Sequence, residues 1–158
     1  MSIKPKGAKS GKKLYETFFV GDQGTQYFIK PLKFTSETEN HLLMDITFRI
    51  KNEIKDSAFV NFSIVNKELV KKLDSLVVKC PNYSFSITNF NNLFVEHSNG
   101  LINSRFSSRA KIIDIKNVFN QPDWIINQYS NGKSITYKSS KKLNSKIKKI
   151  YYEIFSLY

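Results

Sequence analysis

A chain of 158 residues whose hydrophobic share is 41% is long enough to bury a core without a metal or disulfide staple. Its single cysteine, Cys80, excludes an intrachain disulfide, and no apolar run approaches the ~20 residues that a membrane helix needs. The formal net charge of +12 directs attention to anionic partners.

Residues 1–13, MSIKPKGAKSGKK, carry five lysines, no acid and almost nothing to bury. They are expected to form a flexible basic arm ahead of a single domain over 14–158. LYETFFV (14–20) is too short and too polar for a signal-peptide core, so a soluble, cytoplasmic protein is expected. With TQYFIKPLKF (25–34) it flanks GDQG, where Gly21 and Gly24 can supply the positive φ of a hairpin loop. Pro31 lacks an N–H and places its stretch at a sheet edge or a bulge.

HLLMDITFRIK (41–51) alternates, with Leu42, Met44, Ile46, Phe48 and Ile50 on one face and Asp45, Thr47, Arg49 and Lys51 on the other. AFVNFSIVN (58–66) repeats the pattern, with Val60, Phe62 and Ile64 inward. A short helix over 67–75, capped by Asn66, is expected to follow. SLVVKC (75–80), YSFSIT (83–88) and LFVEHS (93–98) have strand character, and the last runs into the turn signal Asn99-Gly100. RAKIIDIK (109–116) is expected as a strand and QPDWIINQY (121–129) as a short helix. Asn131-Gly132 marks a second tight turn, followed by a brief strand and a closing helix over 141–157.

The expected fold class is therefore α+β: antiparallel β-sheets in a ββββα-like order, possibly twice, with a long C-terminal amphipathic helix. In element order alone this resembles the Pur-type and Whirly-type single-stranded nucleic-acid-binding domains. That resemblance implies a binding role.

Lysine, asparagine and isoleucine abound in products of AT-rich genes, so the lysine count says less than its distribution. Residues 133–149 hold seven lysines and no acid; with the five of the N-terminal stretch they equal the whole net charge. A neutral body with two basic ends is an electrostatic footprint for phosphate, an anionic surface or an acidic partner.

In the closing helix Leu143, Ile147, Ile150, Ile154 and Leu157 form one stripe, widened by Tyr151, Phe155 and Tyr158. A core role for the stripe is the simplest reading; a membrane-surface helix and a partner groove are the alternatives. With the stripe docked, Lys141, Lys142, Lys148 and Lys149 face solvent, with Tyr152 among them. Two of the chain's arginines, Arg105 and Arg109, bracket Phe106 in the Ser-rich stretch NSRFSSRAK (103–111), which has the make-up of a binding loop.

Catalytic chemistry is poorly supplied. His41 and His97 sit at strand ends without metal-ligand spacing, GDQGT lacks the Lys-Ser/Thr of a phosphate loop, and the acids are scattered. No enzyme, metal or cofactor is expected. The expected function is binding of RNA, DNA or a ribonucleoprotein through Lys141, Lys142, Lys148, Lys149 and Tyr152. Lys12 and Lys13 of the arm, and Arg105, Phe106 and Arg109, are expected to assist. The alternative is a protein-interaction module: a structural subunit, or a small mobile-element or phage-encoded inhibitor of a nucleic-acid-handling enzyme.

Overall fold

The computed structural model describes residues 13–51 and 57–158; the proposed arm, apart from Lys13, lies outside the described residues. Among the described residues eight strands come before any α-helix: β1 (Tyr15–Phe19), β2 (Thr25–Ser36), β3 (His41–Ile50), β4 (Ser57–Asn66), β5 (Ser75–Cys80), β6 (Tyr83–Ile87), β7 (Asn91–Ser98) and β8 (Leu101–Lys111). Then follow α1 (Ile112–Phe119), β9 (Ile125–Ser130), β10 (Lys133–Lys138) and α2 (Lys141–Glu153). All strand pairs are antiparallel, in one sheet ordered β6–β5–β9–β10–β2–β3–β4–β8–β7, with β1 on β2. The sheet curls into a half-barrel, so the fold is mostly antiparallel β and not the expected α+β fold with ββββα repeats. The implied likeness to Pur-type and Whirly-type domains goes with it.

Local chemistry explains much of this path. Gly21 and Gly24 both take positive φ in the loop joining β1 to β2. A Cβ at Gly24 would stand 2.2 Å from the Ile50 carbonyl oxygen, so only glycine lets β2 begin against the end of β3. The β2–β3 register shifts between Ile29 and Leu32, and Pro31 occupies that bulge. It also marks where β2 changes partner, from β1 at Thr25–Ile29 to β10 at Thr35 and Ser36. Asn99-Gly100 and Asn131-Gly132 have positive φ at both residues and close the β7–β8 and β9–β10 hairpins. The curl brings the two ends of the sheet together: Ser108 on β8 donates to the Thr88 carbonyl just past β6.

Both helices pack on the inner face. The buried alternates of β2, β3 and β4 meet Ile112, Ile115, Val118 and Phe119 of α1 and Leu143, Ile147 and Ile150 of α2. A chain of rings runs through this core. Phe34 stacks on Trp124, Phe119 meets Trp124 edge-on, and Phe155 lies 4.9 Å from Phe119 and 5.3 Å from Phe48. The indole N–H of Trp124 donates to the Val118 carbonyl, and Tyr137 pairs with the buried Gln128 at 2.8 Å.

Four expected elements differ. Residues 67–74 form no helix; they cross from β4 to β5, burying Val70 and Leu73 and tying Asp74 to the β9–β10 turn through Tyr129 and Asn131. Asn66 accepts from the Glu68 N–H but caps no helix. The expected strand over 109–116 is the end of β8 followed by α1, whose buried positions 112, 115, 118 and 119 have helical spacing. Residues 125–130 are strand β9 in place of the expected helix. The closing helix ends early, at Glu153, because a 3-10 turn at Phe155–Leu157 swings Phe155 into the core and leaves Leu157 exposed.

Candidate nucleic-acid interface

Helix α2 is built to dock on one side and present charge on the other. Ser140 caps it by accepting from the Leu143 N–H at 3.1 Å. Leu143, Ile147, Ile150 and Ile154 are all buried, which bears out the core reading of that part of the stripe. At ~100° per residue the remaining positions span an arc of about 160° from Lys148 through Lys141, Tyr152, Lys149 and Lys142 to Lys146. Every one of these is exposed. Lys149 pairs with Glu153 one turn on, at 3.6 Å; the other four lysines have no carboxylate partner among the described residues. Tyr152 is 61% exposed, its ring set edge-on to half-buried Tyr151 at 5.6 Å.

Beside this arc lies a depression of about 350 Å³ lined by Asn120, Gln121, Asn144, Lys148, Tyr151 and Tyr152. Its far wall is the turn between α1 and β9. Asn144 holds that turn, donating to the Asp123 carboxylate at 2.7 Å and accepting from the Asp123 N–H at 3.1 Å. Amide groups, an ammonium and two phenol rings therefore converge at one end of the lysine arc. Such a site offers an anion contact, hydrogen bonds and a stacking surface.

The stretch 103–111 is not a loop. It lies within β8, where alternation sends Arg105 and Arg109 to the outer face and Phe106 to the core. Phe106 is 1% exposed and packs on Phe90, so it cannot serve as a stacking platform for a base. Arg105 is held in place by an ion pair with Asp45 at 2.8 Å and a hydrogen bond to Ser63 at 2.7 Å. Arg109 lies over the Phe59 ring, 4.4 Å from its centroid. Arg49, not singled out above, joins them on the same face, donating to Gln23 and to Gln26. With Phe59, Thr47 and Ser57, Arg49 and Arg109 line a depression of about 370 Å³. The period-two pattern of 41–51 already assigns Arg49 to the polar side, but nothing local shows that three strands bring all three arginines to one face.

The arginine face and the lysine arc lie on opposite sides of the sheet, because α2 docks on the inner face and turns its lysines away. Lys13 is exposed in the turn before β1, and Lys12 lies outside the described residues. His41 is pushed below its ordinary pKa by burial and by Lys33, and its Nδ1 has no partner among the described residues. His97 is exposed on β7. Among the described residues no group of three His, Cys, Asp or Glu side chains could hold a metal, and no helix is long and apolar enough to cross a membrane. The chain matches no protein-family model, and comparison with curated proteins and with solved structures likewise finds no match.

Proposed function

We propose that this chain is a non-enzymatic nucleic-acid-binding protein that holds RNA or DNA, free or within a ribonucleoprotein, against the outer arc of α2. Lys141, Lys142, Lys148 and Lys149 contact phosphates, and Tyr152 offers its ring to an unpaired base. The observation that carries this reading is the arc itself. Five lysines share one exposed face, only Lys149 has a carboxylate partner among the described residues, and Tyr152 stands exposed among them beside a polar, ring-lined depression. A face that only kept the protein soluble would not need an exposed phenol within it. Lysine is a point charge without the arginine fork, so these contacts position a strand without reading its sequence. The Lys-rich N-terminal stretch would add phosphate contacts of the same kind.

Binding of a generic single strand and a generic duplex, each at low and at moderate salt, tests the proposal. Tighter binding of the single strand, weakening steeply with salt, is expected. No measurable binding of either at low salt would reject it and leave an acidic protein surface as the partner.

A further inference from the structure

We propose that β7 is a self-association edge, through which two copies of this chain join with β7 antiparallel to β7 and continue one sheet into the other. This inference stands apart from the nucleic-acid reading. β7 ends the sheet order, all eight of its residues are exposed, and among the described residues it pairs only with β8. Its outer edge therefore presents backbone N–H and C=O groups that lack a strand partner. Edge strands usually guard against pairing with lysine or proline. β7 has neither, although a bulge falls between Asn92 and Phe94; Leu93, Phe94 and Val95 are 52%, 45% and 40% exposed. The opposite end of the sheet is better covered, since Tyr83 on β6 donates to Asp114 of α1.

Charge selects the occupant. From Cys80 to Ser104 the chain has no Lys or Arg and a single acid, Glu96. Two molecules of net charge +12 repel one another, and this segment, without Lys or Arg and outside the two basic ends, lets two copies meet with little repulsion. The same neutrality makes it the surface least attractive to a polyanion. An antiparallel strand pair is also self-complementary about a two-fold axis. Centred near Phe94, such a pair brings Leu93, Phe94 and Val95 of both copies together, with Asn91, Asn92, Glu96 and His97 towards its ends. Apolar groups meet at the centre, polar groups flank them, and no like charges are opposed.

One edge strand buries less than the ~1,200 Å² of a stable interface, and the bulge between Asn92 and Phe94 twists the edge. The dimer is therefore weak and concentration-dependent. Sedimentation velocity on the full chain up to about 1 mM should show a monomer–dimer equilibrium, and Val95→Lys should abolish it without changing the circular dichroism spectrum. Phe94→Cys in a Cys80→Ser background should form a disulfide-linked dimer under mild oxidation, faster than an exposed control cysteine at Ser134. A chain that stays monomeric at the highest concentration, a dimer indifferent to Val95→Lys, or crosslinking at Phe94 no faster than at Ser134 would each overturn the proposal.

Discussion

Replacing Ile150 by alanine separates the two faces of α2. Ile150 is fully buried, one turn before Ile154 and one turn after Ile147 and Lys146, on the side that meets the sheet. Truncation there removes three carbons from a packed site and leaves a cavity, which costs ~2–5 kcal/mol. For a domain of this size each kcal/mol shifts Tm by ~2–4 °C, so a fall of roughly 4–20 °C is expected. The chain's single tryptophan, Trp124, is buried in the same ring cluster and reports unfolding by its fluorescence in a urea titration. Tyr152→Ala is the matched control on the exposed face. It should leave the urea midpoint almost unmoved and weaken single-strand binding by ~1–3 kcal/mol if the ring stacks on a base. Ile150→Ala should do the reverse, with affinity kept in the folded fraction. An Ile150→Ala protein of wild-type stability that no longer binds would refute the assignment of this stripe to the core.

Gly24→Ala should lower the urea midpoint by more than ~1 kcal/mol equivalent, because its Cβ would meet the Ile50 carbonyl and its φ is +89°. An unchanged midpoint would mean that β2 can start elsewhere. Arg105→Met should destabilise the protein by ~1–3 kcal/mol by breaking the ion pair with Asp45, which then keeps only its hydrogen bond from Asn61, yet leave nucleic-acid affinity unchanged. A loss of affinity at unchanged stability would return Arg105 to the interface. Burial and the nearby Glu153 push the Tyr15 hydroxyl up to about 12 from 10.0; Tyr27 and Tyr137 are also raised, chiefly by burial. A tyrosine whose pKa is raised on folding contributes its full stability below its unfolded pKa and loses it as pH rises towards the folded one. Urea midpoints should therefore fall above about pH 10, and Tyr15→Phe should flatten that fall. A midpoint constant to pH 12 would contradict the burial of these hydroxyls.

The turns and alternating strands were legible because their signals are local. Asn99-Gly100 and Asn131-Gly132 each form the positive-φ turn that their residues favour, and Pro31 lies at a bulge. The stripe of α2 was legible over three turns and failed at Leu157, where the docking of Phe155 ends the helix. Short apolar segments misled in both directions. Ile113 to Lys116 alternates like a strand, yet Ile112, Ile115 and Phe119 turn towards the core as a helix. Val70 and Leu73 are spaced like a helix, yet they are buried by a strap whose backbone bonds to β9. Periods of two and 3.6 cannot be told apart over so few residues. Phe106 illustrates the cost at the site. In a loop it would keep company with Arg105 and Arg109, but in a strand it must point away from both. The outer face of three arginines is not legible in the sequence because sheet neighbours such as β3, β4 and β8 are set by long-range pairing, which composition does not reveal.

The salt dependence of nucleic-acid binding tests the central claim most directly. A fluorescent generic single strand, titrated by anisotropy at several salt concentrations, gives the slope of log K against log salt, ~0.7 for each phosphate contacted. Replacing Lys141, Lys142, Lys148 and Lys149 together by Gln removes four charges from the exposed arc and leaves the buried stripe intact. The fold should persist, since exposed lysines contribute little to stability, while the slope falls by about three and the affinity at low salt drops with it. Affinity and slope equal to those of the natural chain would contradict the assignment of the α2 lysines to phosphate contact.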